Sequence, residues 1–109
     1  MKLIIAVVHD RDRGKITESL LRNGFKFTKI GSTGGFLREG NITLLIGCPD
    51  PDVNRCLALI NEGSKSRKQY VNVLPPDAGP VGTFIPSPVE VEVGGAIAFV
   101  MDVERFEQF

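Results

Sequence analysis

Two adjacent glycines, Gly34 and Gly35, stand between Ser32-Thr33 and the bulky apolar pair Phe36-Leu37. Tandem glycines allow positive φ, so consecutive N–H groups can converge into a nest that holds a phosphate oxygen. Such donors carry no net charge and call for cations nearby. Lys26 and Lys29 precede the glycines and Arg38 follows them, while Thr28 shares the face of Lys26 and offers a hydroxyl. Phe36 and Leu37 then suit the walls of a flat base, where aromatic stacking is worth about 1–3 kcal/mol, and Asn41 can read the polar edge of that base. The same letters also fit a Gly-Gly hairpin whose Phe-Leu packs into a neighbouring subunit. No Gly-Lys-Ser/Thr follows, so this is no Walker motif, and the next element is a strand rather than a helix, so it is no dinucleotide fingerprint.

Other chemistry is thinner. His9-Asp10 is half of an acid/base pair with no serine or cysteine placed as a nucleophile beside it. Asp10 or Asp12 is expected to cap the first helix. Ser64-Lys65-Ser66-Arg67-Lys68 reads as a solvated loop, with a partner or phosphate contact as its alternative. Cys48 and Cys56 lack CxxC spacing and read as two buried small apolar residues. With one histidine in the chain, no ligand set resembles a zinc site, and neither a metal nor a cofactor is expected.

The elements that position these residues follow from periodicity. Leu3 to Val8 is a continuous β-branched run, the pattern of a central strand covered on both faces. Ile16, Leu20 and Leu21 predict a helix of about three turns that stops near Asn23-Gly24. From Phe25 the period falls to two, with Phe25 and Phe27 toward one face and Lys26 and Thr28 toward the other. Ile42, Leu44 and Ile46 alternate with Thr43, Leu45 and Gly47 in a third strand, joined to the second as a hairpin. A second helix is predicted with Asp50 as N-cap, Pro51 in its first turn, Val53, Cys56, Leu57 and Ile60 on one face, and Gly63 at its end. Residues 64–88 hold five of the seven prolines and predict a long functional loop without regular structure. Two strands about Gly94-Gly95 close the chain, with the valines at 89, 91 and 93 buried.

The predicted order, β-α-β-β-α-β plus an extra strand, is ferredoxin-like: an α+β fold with an antiparallel sheet and two helices on one face. The opposite face, carrying Lys26, Thr28, Thr43, Leu45, Glu90 and Glu92, is too apolar for plain solvent, so an oligomer is expected. With 109 residues, a single domain is expected over 1–109. Thirteen acids balance thirteen bases, which argues against a nucleic acid polymer as partner. No apolar run approaches the roughly 20 residues that span a bilayer, so a cytoplasmic protein without membrane contact is expected.

Four separated motifs, "MKLIIAVVHDRD", "TKIGSTGGFLREGN", "PVEVEVGGA" and the ending "FEQF", together resemble the cyclic-di-AMP receptor family known as PstA or DarA, PII-like signalling proteins. The resemblance covers essentially the whole chain. It implies a homotrimer without enzymatic activity that binds cyclic-di-AMP in clefts between subunits, moves its loops in response, and signals to a downstream protein partner. Carried over by position, Lys26, Thr28, Gly35, Phe36, Leu37, Asn41 and Gly47 would line the site, and Gln108 from the tail would close it. The chain departs from the family pattern where Gly24 stands for an asparagine, Lys26 for an arginine and Phe27 for a smaller residue. Those changes leave open a sensor for another adenine nucleotide, ATP or ADP, and a trimeric regulator acting by protein contact alone stays open as well.

Overall fold

The structure, a computed structural model, describes residues 1–32, 40–73 and 87–109. The N-terminal β-branched run forms β1 (Lys2–His9). As its two-sided hydrophobicity predicts, β1 is central. It pairs with β3 (Asn41–Cys48) on one side and β6 (Ala96–Asp102) on the other, and β2 (Thr28–Ser32) extends the sheet beyond β3. All three pairings are antiparallel, in the order β2-β3-β1-β6.

Strand alternation sends Ile4, Ala6 and Val8 of β1 and Ile42, Leu44, Ile46 and Cys48 of β3 to one face, where all are buried. Ile16 and Leu20 of α1 (Arg13–Arg22) and Cys56 and Ile60 of α2 (Val53–Ser64) close over them in one cluster. Each fully buried Ile or Leu there contributes about 1.5–3 kcal/mol, so this layer carries the fold. Both cysteines are free thiols within it. The result is a small α+β fold whose four-stranded antiparallel sheet and two helices are compatible with the ferredoxin-like arrangement, with β6 taking the place of the fourth strand.

Several local expectations are corrected. Residues 67–73 form β4 (Arg67–Val73), which pairs with β5 (Ser87–Val93) as a separate two-stranded sheet. The predicted closing hairpin therefore does not form: β5 turns outward to β4 while β6 turns inward to β1. Burial of the valines at 89, 91 and 93 lies outside the described residues' side chains. The second strand starts at Thr28 rather than Phe25, because Phe25 completes the end of α1. Asp50–Asp52 is a 3-10 turn, so α2 begins at Val53 without a side-chain cap, and Asp50 Oδ1 instead accepts from the N-terminal ammonium at 2.7 Å. Neither Asp10 nor Asp12 caps α1 through its side chain. Leu21, expected in the apolar stripe, is 63% exposed.

Gly63 does not end α2; it lies inside the helix, where an added Cβ would sit 2.6 Å from Ile16 Cγ1. A glycine there lets α1 and α2 approach over a fully buried isoleucine.

The opposite face of the sheet is more apolar than expected, since Glu90 and Glu92 belong to the separate hairpin. The register sets it out in rows across the strands: Val7, Thr43 and Ile30 with Ile97; Ile5, Leu45 and Thr28 with Phe99; Leu3 and Gly47 with Met101. Ile30, Phe99 and Met101 are 46%, 44% and 50% exposed. At the far end the row turns polar, where His9 faces Asn41 and Ser32 is next in register.

Candidate functional site

At the other end of that face lies an open groove of about 430 Å³, within the range of about 300–1,000 Å³ usual for small-molecule sites. Its first wall is set by how α1 stops. Gly24 takes φ +84°, its N–H donates to the Leu21 carbonyl at 3.1 Å, and the Phe25 N–H donates to the Leu20 carbonyl at 2.9 Å. This paired closure of the last turn needs a left-handed residue at position 24, which glycine supplies without strain. Phe25 is thereby folded into the core, 5% exposed. Arg55 of α2 braces the turn, its guanidinium 4.4 Å above the Phe25 ring and its Nη1 donating to the Asn23 carbonyl at 2.9 Å. The chain leaves this anchor extended, bringing Lys26, Phe27 and Thr28 to the groove.

The floor comes from β3. Thr28 faces Leu45 in register, and Gly47 follows two residues on, toward the same side. At Gly47 an added Cβ would meet nothing nearer than Met1 Sδ at 3.9 Å, so the missing side chain is what leaves this part of the groove empty. The second wall is the C-terminal tail, with Phe106, Glu107 and Gln108. Val103 N–H donates to the Met1 carbonyl at 3.2 Å and starts the tail across the end of β1. Arg105 Nε donates to Glu107 Oε1 at 2.9 Å, so the carboxylate beside the groove is offset by its own neighbour.

The groove thus combines apolar walls (Met1, Phe27, Leu45 and Phe106) with the Lys26 ammonium, the Thr28 hydroxyl and the Gln108 amide. That set suits a flat apolar body bearing an anionic group. Among the described residues lining it there is no histidine, cysteine or serine. His9-Asp10 lies at the opposite end of β1, and Asp10 pairs with Arg13 at 3.4 Å.

Of the residues expected at a site, Lys26, Thr28, Gly47 and Gln108 converge on this groove. Asn41 does not. It is 7% exposed at the other end of β3, about 20 Å from Gly47 by the rise of a strand. Lys29 pairs with Leu44 and belongs to the helix side of β2. Gly35, Phe36, Leu37 and Arg38 lie outside the described residues. Leu45, Phe27, Phe106, Met1 and Glu107 were not foreseen; the two-residue spacing of Leu45 and Gly47 would have found the first. A second cavity, of about 310 Å³ between α2 and β6, is lined by Leu57, Ile60, Gly95 and Ala98 among others and by Ser64, Lys65 and Ser66, from the stretch for which a partner or phosphate contact was the alternative to a solvated loop; none of the residues expected at the nucleotide site lines it.

Among the described residues no group of three His, Cys, Asp or Glu side chains is arranged to hold a metal ion, and no helix is long and apolar enough to cross a membrane. A solved structure, the crystal structure of a functionally unknown protein from Pediococcus pentosaceus ATCC 25745, matches with a TM-score of 0.77 at 33% sequence identity, over 99% of this chain and 96% of that one. The family model described as Cyclic-di-AMP receptor matches residues 1–109, the whole chain. The chain carries this family pattern from end to end, and the protein belongs to the cyclic-di-AMP receptor family.

Proposed function

We propose that this protein is a PII-like signal receptor in the cytoplasm that binds cyclic-di-AMP without turning it over, in clefts completed between the subunits of a homotrimer. The observation that carries this reading is the division of the expected ligand residues between the two ends of β3. Lys26, Thr28, Gly47 and Gln108 line one groove, while Asn41 stands about 20 Å away in the same copy. That span is too long for one compact cyclic dinucleotide to touch both groups from within a single chain. A neighbouring copy that brings its Asn41 end, with Gly35, Phe36 and Leu37, to the groove removes the discrepancy. The apolar rows of the open sheet face support association of this kind, since they place Ile30, Phe99 and Met101 in solvent in the isolated chain.

Within the cleft, the Lys26 ammonium meets a phosphate as a point charge, the Thr28 hydroxyl adds a directional bond, and Gly47 lets an adenine lie against the β3 backbone. The ligand is a signal rather than a resident cofactor, and loop rearrangement reports it to a downstream protein.

Calorimetry of the intact protein with cyclic-di-AMP, ATP and ADP tests this reading. Heat with cyclic-di-AMP at one site per subunit is expected, and ligand at 100 times its Kd should raise stability by about 2.7 kcal/mol in a thermal shift. Silence with cyclic-di-AMP beside micromolar ATP binding reassigns the site to another adenine nucleotide. Silence with all three leaves a trimer that acts by protein contact alone.

A further inference from the structure

The 3-10 turn of residues 10–12 lies between the two parts of the chain that the proposed receptor would use. On one side, Asp10 N–H donates to the Gly40 carbonyl at 3.0 Å, and His9 faces Asn41 in register. The turn therefore holds the end of β3 from which the candidate ligand residue Asn41 projects. On the other side, Asp12 Oδ1 pairs with Nη2 of Arg67, the first residue of β4, at 3.4 Å. Arg67 is the residue from which the β4-β5 arm leaves the body of the protein.

The root of that arm is tight. Gly94 and Gly95, where the chain returns from β5, have φ +92° and +91°, and a Cβ at Gly94 would fall 2.6 Å from the Lys65 carbonyl and 3.1 Å from Arg67 Nη1. Gly95 N–H donates to the Ser64 carbonyl. Outgoing and returning strands are thus pinned against the end of α2, and the Asp12–Arg67 pair ties that knot to the turn.

This pair is incomplete. Asp12 is 5% exposed, yet its Oδ2 is buried with no hydrogen-bond partner, while Arg67 Nη1 donates outside the pair, to the Lys65 carbonyl at 3.3 Å. A buried carboxylate oxygen without a partner costs free energy that a two-point guanidinium fork would recover. Two arrangements differ by one bond: a single guanidinium N–H on Asp12 Oδ1, as in this structure, or a fork in which a second N–H also reaches Oδ2. They differ in where the guanidinium, and with it the first residue of the arm, sits.

We propose that the 10–12 turn couples the Asn41 end of the ligand site to the β4-β5 arm, with Asp12 and Arg67 as positioning residues that switch between one-point and two-point pairing. This rests on the cyclic-di-AMP reading above. A shift at Asn41 moves Gly40 and the turn bonded to it, which changes the reach from Asp12 to Arg67 and selects between the two pairings. The coupling element is a bistable ion pair with a defined partner on each side, and it involves no contact between Asp12 or Arg67 and the ligand.

Hydrogen exchange of the intact protein, with and without saturating cyclic-di-AMP, tests the coupling. In the wild type the ligand is expected to change exchange in residues 67–73 and 87–93 by about threefold or more. In Asp12→Asn and in Arg67→Gln that response should fall to less than about half, while calorimetric affinity stays within about threefold. Arg67 is half-exposed, so Arg67→Gln serves where loss of the buried charge unfolds the first variant. An arm response as large in both folded variants as in the wild type overturns the coupling, and so does a wild-type arm that stays unchanged while heat shows the ligand bound. Absence of heat overturns the binding reading instead, which keeps the two failures apart.

Discussion

Replacing Lys26 by arginine is the most informative single change at the groove. An ammonium meets a phosphate oxygen as one compact charge, whereas a guanidinium presents two parallel N–H donors that match two oxygens. Lys26 lines the groove at its solvent edge, so one more charge-assisted bond there is partly screened, and a gain of about 1 kcal/mol is the reasonable figure. That converts to roughly fivefold tighter binding of cyclic-di-AMP. Gly24→Asn is the companion. Position 24 does not line the groove, and asparagine tolerates the left-handed conformation that φ +84° requires, so this variant should fold normally and bind within about twofold of wild type. Titration calorimetry of wild type, both single variants and the double variant, at two salt concentrations, measures the effect. The arginine gain should shrink as salt rises, because the bond is solvent-screened. Equal or weaker binding by Lys26→Arg at low salt, or a gain that arises only from Gly24→Asn, would refute the placement of Lys26 against the phosphate.

Gly47→Val should fill the floor of the groove and weaken the ligand by about tenfold or more while leaving Tm within about 4 °C, since Met1 Sδ at 3.9 Å is its nearest obstacle; a thermal melt beside a titration separates the two effects. Thr28→Ala and Asn41→Ala should each lower affinity about twofold to tenfold with the oligomer intact by light scattering, and unchanged binding in both contradicts the site. Gly63→Ala should lower the urea midpoint, because overpacking against Ile16 costs about 1–3 kcal/mol and the helix preference of alanine returns only about 1 kcal/mol. Burial pushes the Cys56 thiol up to about 11, so at pH 8 its alkylation should track unfolding, and the stability held by the neutral thiol should be complete below pH 9 and decline as pH rises toward about 11.

The sequence was most legible where one physical term dominates. The run Leu3 to Val8 predicted a strand inside the sheet, which β1 is, although only the helix face is covered and Leu3 and Ile5 stay partly exposed; Cys56 and Ile60 predicted the buried face of α2. It was least legible where pairing decides. Residues 67–73 carry the letters of a strand, but only a partner some twenty residues away makes them one, and nothing local names that partner. Asp12 looked like a helix cap because caps are local, whereas its actual partner, Arg67, is reached through the fold. At the candidate site, Thr28 and Gly47 followed from strand alternation and family pattern. Phe27 did not, since a phenylalanine that packs on the core with one edge and lines a groove with another reads as core in any one-dimensional pattern, and Phe106, 62% exposed in the tail, belongs to no periodic element.

The contact of Gly63 with Ile16 has a consequence for how relatives of this protein can diverge. The two helices share one allotment of volume at that crossing, and the isoleucine already fills it, since a Cβ at 63 would fall 2.6 Å from Ile16 Cγ1. A larger residue at 63 is admissible only with a smaller one at 16, so the pair should drift together while their neighbours along each helix vary independently. Ile16→Val combined with Gly63→Ala would then recover much of what Gly63→Ala loses alone.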